Sequence, residues 1–294
     1  QMISSCLESG FTKEERVNAH KLLIQTYLFT DQFEKADNEM FKFLKSFPEY
    51  RILQTDPKEF VTLHSTYRTE PFLKIEASLG TSYTLPFVKE FYGVEDLNTS
   101  YAEYSSNLGV FGEVNYIDKL WGDFDGSFGL SFSYLRIGYW NELYDFSALS
   151  ATYNNFYIGL PLALRYNKRL IGQDFFAKGG FEVSYLLYST IDFTREISVG
   201  QDPIIGTESI ASLQQRFDFR PLISVGWNYK IGNANLMLTA GVKFGTFNAT
   251  QKTKRYSNAD IYEKYYFLPD DFFIHQTFVN ISYVFSIYNP KKIH

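Results

Sequence analysis

An alternation starts near Phe72 and keeps returning until Tyr288; within it every second residue is apolar or aromatic, and Gly, Ser, Asn, Lys, Glu and Arg fill the positions between. The clearest runs are Phe156-Ile158-Leu160-Leu162-Leu164-Tyr166, Phe217-Phe219-Pro221-Ile223-Val225-Trp227-Tyr229 and Val279-Ile281-Tyr283-Phe285-Ile287. Successive side chains of a strand point to opposite faces, so a period of two marks strands with one apolar face. The runs last about ten residues and recur about eight times, the pattern of a transmembrane β-barrel with lipid outside and polar side chains within. Strands are expected near 72–84, 107–118, 127–139, 153–166, 174–189, 214–230, 234–248 and 272–288. Short connectors fall at Leu120–Gly126, Asn167–Gln173 and Ile231–Asn233; long ones fall at Leu85–Ser106, Trp140–Thr152, Thr190–Leu213 and Ala249–Asp271.

Before Phe72 the period is helical. Gly10 is expected to end a first short helix, and Thr12 followed by Glu15 is a capping box that starts the next. Leu23, Tyr27, Ala36, Met40, Phe43 and Pro48 fall at the spacing of a single tetratricopeptide repeat over Glu14–Pro48. One repeat does not bury its own face, so flanking helices or a protein partner should complete it, with Leu23, Tyr27 and Phe43 as candidate contacts. Asp56-Pro57 opens a further helix, with Asp as cap and Pro at the first position. Arg68-Thr69-Glu70-Pro71 is the hinge, which divides the chain into a helical segment, 1–68, and a barrel, 69–294. An even strand count leaves both ends on the side of the short turns, the periplasm in a bacterial outer membrane.

Composition narrows the choice. Aromatic residues make up 19% of the 294 residues, with 23 Tyr and 29 Phe. Mean hydropathy is only -0.21, and no apolar run is long enough to read as a transmembrane helix. The net charge of -5 without a basic face speaks against nucleic acid as a partner. Cys6 is the only cysteine, so an intrachain disulfide framework is excluded. Ile3-Ser4-Ser5-Cys6 is loosely similar to a lipoprotein cleavage box, but Ile3, Cys6 and Leu7 also fit one helix face. No cationic-then-apolar signal segment is present, so the chain is expected to be a mature form starting at Gln1. A soluble lipocalin-like barrel would turn the apolar face inward. Two features favour lipid: the mixed signs of Lys74, Glu76, Glu113, Lys178, Glu182, Asp218, Arg220 and Lys243, and the aromatics near strand ends at Phe156/Tyr166 and Trp227/Tyr229.

A barrel of about eight strands is just wide enough for side chains to fill it. Glu76, Glu113 and Glu182 against Lys178, Arg220 and Lys243 therefore read as a packed ion-pair network in the lumen rather than a channel. Catalysis has little support. His20, His64, His275 and His294 show no metal or triad spacing, no nucleophile elbow or phosphate loop is present, and no cofactor is expected. An enzymatic reading would fall on His275, Glu182 and Asp218. Trp121–Gly126 carries two carboxylates spaced as in a calcium loop, lacks the later ligands and reads as a tight turn. The long loops are rich in aromatics: Phe91, Tyr92, Tyr101, Tyr104, Tyr139, Trp140, Tyr144 and Phe146, then Tyr256, Tyr262, Tyr265, Tyr266 and Phe267. Such side chains make binding hot spots, and equally they could pack among themselves as an upper girdle; both readings stay open.

The barrel segment from Phe72, with the approach Asp56-Pro57-Lys58-Glu59-Phe60-Val61 to Arg68-Thr69, resembles the outer-membrane β-barrel proteins of Bacteroidota often described as PorT-like. With the helices, the resemblance covers most of the chain. It implies an outer-membrane location and, as for several members, service as a non-enzymatic subunit of a larger machine, such as type IX secretion or barrel assembly, and it brings no catalytic residues. A barrel more commonly stops at a terminal aromatic, whereas Asn289–His294 follow Tyr288 here. The expectation is thus an all-β transmembrane barrel preceded by a small α-helical periplasmic segment, acting as an accessory subunit. Its partners would be membrane lipid, lipopolysaccharide, and outer-membrane and periplasmic proteins. A small outer-membrane channel is the alternative.

Overall fold

A computed structural model describes residues 11–93, 102–143, 147–170, 172–197, 201–231 and 234–293. The expected first helix, Cys6, Tyr101, Tyr144, Phe146 and the turn at 232–233 lie outside the described residues. The chain divides into two compact units: residues up to Lys74 together with Ser286 onward, and Ile75–Phe285.

The first unit holds α1 (Lys13–Phe29), α2 (Phe33–Ser46) and α3 (Lys58–Ser65). Both halves of the capping box are made, Thr12 accepting from the Glu15 N–H and Glu15 from the Thr12 N–H. Asp31 takes a left-handed backbone (φ 56°) between α1 and α2, a conformation that Asp tolerates better than most residues. Ile24, Met40, Phe43, Leu44, Phe60 and Tyr67 form the core, where Phe43 meets Phe60 edge-on at 5.4 Å. α3 starts at Lys58 with Pro57 at its cap. The expected capping role of Asp56 is not found: its carboxylate is already occupied by Lys21 Nζ at 2.6 Å, the Tyr50 hydroxyl at 2.6 Å and the Leu53 N–H at 2.8 Å. The C-terminal tail completes this unit. The Arg68 N–H donates to Lys291 O at 2.8 Å, the Ile293 N–H to Thr66 O at 2.6 Å, and Lys292 bonds Asp37.

The second unit is antiparallel sheet. Its strands are β1 (Leu73–Glu90), β2 (Glu103–Ser106), β3 (Leu108–Trp121), β4 (Phe124–Leu143), β5 (Ser147–Leu170), β6 (Gln173–Ile197), β7 (Ile204–Ser209), β8 (Phe217–Ile231), β9 (Ala234–Lys243) and β10 (Asp271–Ile287). The order β4-β3-β1-β10-β9-β8-β6-β5 closes on itself through the β4–β5 ladder into a ring of eight strands. β2 prolongs β3 along the top of β4, and β7 pairs with the top of β6. The turns at Gly122 (φ 51°) and Gly172 (φ 77°) are tight, in backbone regions that cost glycine least.

Three of the expected long connectors are shorter than the sequence pattern indicated, while the fourth is longer, since β9 ends at Lys243 and not near 248. Trp140–Thr152 is strand at both ends, β4 running to Leu143 and β5 starting at Ser147. β1 runs to Glu90 and β6 to Ile197. The segment between β9 and β10 is ordered around α4 (Ala259–Tyr265).

Candidate functional site

The ring is apolar outside. On β5 the outward positions are Phe156, Ile158, Leu160, Leu162, Leu164 and Tyr166, with Leu160 59% exposed. On β4 they are Phe124, Phe128, Leu130, Phe132 and Tyr134. These belts end in register, since Phe124 pairs with Tyr166, Tyr134 with Phe156, and Phe156 with Tyr188 on β6. At ~3.3 Å per residue and a tilt of ~40°, the stretch from Phe156 to Tyr166 rises about 25 Å, the height of the apolar band of a membrane barrel. Aromatics gather at its lower edge, where Trp121, Phe124 and Tyr166 touch in sequence.

Beyond the line Tyr134–Phe156–Tyr188 the two faces exchange character. Outward positions become Arg136, Glu142, Ser150, Asp192 and Glu196, while inward positions become Leu135, Ile137, Leu149, Tyr153, Ile191 and Phe193, all buried. β6 makes the change across a bulge at Leu187, because Tyr157 pairs with Leu186 but Phe156 with Tyr188.

At belt height the interior is charged. Arg165 donates to Glu76 at 2.9 Å, Lys178 lies 3.6 Å from Glu113, and Lys243 lies 3.8 Å from Glu113 and 2.5 Å from Glu182. Ser131 and Ser184 each donate to Glu182 at 2.7 Å. Arg220 Nε donates to Asp218 at 2.8 Å, with the guanidinium 4.2 Å over the Tyr157 ring. Four carboxylates thus face four bases, and all eight residues are buried. A buried charge without a partner is costly, so equal numbers are the arrangement that lets this interior stay closed. Arg165 was not among the expected lumen residues, and it is the partner of Glu76; its signal was its place on the polar phase between Leu164 and Tyr166.

Above this layer the mouth is filled by the chain's own aromatics. Asn258 caps α4, and Tyr266 at its C-cap takes a left-handed backbone (φ 51°), a position that usually favours glycine. That turn sends Tyr265 inward, stacked 4.3 Å from Phe193, and Phe267 against Tyr139 and Tyr153. Tyr266 lies 3.8 Å under the Arg195 guanidinium, whose Nη1 donates to Lys264 O at 2.9 Å. Asp270 anchors the far end: it accepts from the Tyr92 N–H at 2.6 Å and the Tyr104 hydroxyl at 2.8 Å. Burial pushes its carboxyl up to about 6, against those two donors and Arg255, with Asp271 adding to the rise.

Of the five aromatics expected to offer a surface, Tyr256 and Tyr262 are exposed, whereas Tyr265 and Phe267 are buried and Tyr266 is half-buried. The last three are corrected to mouth-filling residues, because the upper sheet offers an apolar inner face for them to cover. In the helical unit Leu23 and Tyr27 are half-buried, and Phe43 is fully buried. Phe43 is thus corrected from a partner contact to the centre of that core. Exposed apolar residues there include Leu22, Phe29 (71%), Phe33 (60%), Phe41, Ile52 and Leu53, which the repeat spacing did not single out.

The three residues of the enzymatic reading are engaged elsewhere. His275 Nδ1 accepts from the Gly245 N–H at 3.1 Å, Asp218 Oδ1 accepts from the Thr246 and Phe247 N–H groups at 3.1 Å, and Glu182 is held by Lys243. Among the described residues no group of three or more His, Cys, Asp or Glu is placed to hold a metal ion.

No protein-family model matches the chain, and no curated protein does. Solved structures similar to it include outer-membrane β-barrels. OprG from Pseudomonas aeruginosa aligns at 8% identity over 74% of this chain and 98% of its own, with a TM-score of 0.35. The outer membrane protein AlkL, solved in DMPC lipid bilayers, aligns at 14% identity over 75% and 93%, TM-score 0.35. The outer membrane protease OmpT from Escherichia coli aligns at 10% identity over 74% and 97%, TM-score 0.34.

Proposed function

We propose that this chain is a bacterial outer-membrane barrel that transports nothing and works by binding, as an accessory subunit of a larger outer-membrane assembly. One observation carries this reading. The interior carries buried, balanced ion pairs at belt height and, above them, the buried Tyr265 and Phe267 packed on the upper sheet, while the outside is apolar over a belt, which supports a closed barrel. A filled barrel leaves its lipid face, its mouth and its helices as the working surfaces. The belt meets membrane lipid, and the polar face above Tyr134 meets lipopolysaccharide.

The short turns at Gly122 and Gly172 share an end with the start of β1 and the finish of β10, which supports a periplasmic place for the helical unit. The paired α1 and α2 with α3 support the repeat-like reading, and the exposed Leu22, Phe29 and Phe33 offer a periplasmic protein an apolar contact. Service in protein secretion or barrel assembly by a PorT-like member is the particular form we favour.

Purification in mild detergent followed by planar-bilayer recording tests the reading. The expected result is a co-purifying membrane or periplasmic protein and no steady single-channel steps. A lone monomer that conducts ions would overturn it in favour of a channel.

A further inference from the structure

The apolar belt is notched on β6. On β6 the outward positions at belt height run Phe175, Ala177, Gly179, Phe181, so two small residues sit between two large ones. Ala177 pairs with Tyr166 on one side and Val225 on the other, and Gly179 pairs with Leu164 and Ile223. Bulky neighbours therefore wall a trough whose floor is backbone. Two grooves open from it. One, of 480 Å³, is lined by Tyr166, Phe175, Ala177, Val225, Trp227 and Lys168. The other, of 530 Å³, is lined by Gly126, Phe128, Leu162, Leu164, Gly179 and Phe181. A Cβ added at Gly179 meets no atom within 4 Å, so the trough is open where a side chain would stand.

Lys168 decides what fits. It continues the outward row Leu162-Leu164-Tyr166 by one step, just past the aromatic edge of the belt, and it is exposed. That is the height at which a lipid phosphate lies when its chains enter the hydrocarbon. The only carboxylate lining either groove, Asp118, stands on β3, three strands from β6, so the anionic end of a ligand belongs at Lys168. We propose that the notch is a phospholipid site, an acyl chain lying over Ala177 and Gly179 with the phosphate on Lys168. The proposal rests on the membrane reading above.

The full chain in mild detergent, carried through extensive washing, provides the test, with native mass spectrometry and extraction of bound phospholipid as readouts. Wild type is expected to retain one phospholipid per chain. Gly179→Leu puts a side chain into the trough, where its Cβ meets no atom within 4 Å, and is expected to lower occupancy about tenfold, and Lys168→Gln to lower it by a similar factor. Leu160→Phe, a larger apolar residue on the same belt, is expected to change nothing. Heat-modifiable gel migration checks that each variant is folded. Wild type without retained phospholipid, or G179L with unchanged occupancy, overturns the proposal. So does a membrane protein that co-purifies with wild type and is lost in G179L, since the occupant is then protein. A chain that stays folded and dispersed without detergent defeats the membrane reading itself; one that needs detergent but holds no phospholipid defeats only the site.

Discussion

Lys243 on β9 reaches past β8 to place its Nζ 2.5 Å from Glu182 Oε2 on β6, which ties together strands that share no ladder. Removing the amine leaves Glu182 buried with only the Ser131 and Ser184 hydroxyls as donors. Lys243→Met is expected to cost about 3–5 kcal/mol in urea unfolding from lipid vesicles, the usual penalty for orphaning a buried charge. The double variant K243M/E182L removes both charges and is expected to recover most of that loss. A K243M barrel as stable as wild type would remove the network from the account of stability.

The belt makes a positional claim along one strand. Leu160→Arg puts a cation at mid-belt and is expected to cost about 2–4 kcal/mol. Ser150→Arg, outward on the same strand but above Phe156, is expected to stay within about 0.5 kcal/mol of wild type. Equal effects at the two positions in a vesicle-based unfolding series would place the membrane boundary elsewhere.

The mouth segment and the helical unit should respond to pH in opposite senses. Asp270 holds its proton to about 6 in the folded mouth, so its stabilising share is complete below the ordinary carboxylate range and is lost as pH rises through 6. The difference amounts to about 3 kcal/mol of local stability. His64 is the reverse. Burial depresses it despite the pull of Asp56, so the helical core is favoured while His64 is neutral and loses that share as pH falls below the ordinary histidine value. Hydrogen exchange at pH 4.5 and 7.5 is expected to show segment 255–272 better protected in acid and α1–α3 better protected at neutral pH. Asp270→Asn should abolish the first trend alone; its persistence would point to another group.

The tail and the helices stand together. The backbone bonds of Lys291 and Ile293 to Arg68 and Thr66 matter more than the partly exposed Lys292–Asp37 pair. Lys292→Ala is expected to cost under about 1 kcal/mol. Removal of residues 289–294 should expose the helical unit to rapid proteolysis while the barrel still migrates as folded. Equal protease resistance with and without the tail would show that α1–α3 hold without it.

Much of this architecture is legible in a period of two, and the misses have a common cause. An apolar outward phase marks the eight ring strands, and on β4, β5 and β6 that phase stops at Tyr134, Phe156 and Tyr188. The strands continue, but with faces exchanged, so Trp140–Thr152 looked like a loop. Arg165 was hidden for a related reason: its neighbours Leu164 and Tyr166 drew attention to the lipid phase. Tyr265 and Phe267 mark a different limit. Aromatics in a connector read alike whether they meet a partner or fold back, and only the covering of Phe193 and Tyr153 by this segment tells the two apart.

The exchange of faces at Tyr134, Phe156 and Tyr188 also fixes immersion. A barrel that is greasy along its whole outer wall could bob by several ångströms at little cost. Here a shift of two residues toward the membrane would drag Arg136 and Asn154 into hydrocarbon, and a shift the other way would lift Phe156 and Tyr188 into water. Both moves are uphill, so the sheet has a single depth at which it floats, and its rims stand at a constant height above the lipid.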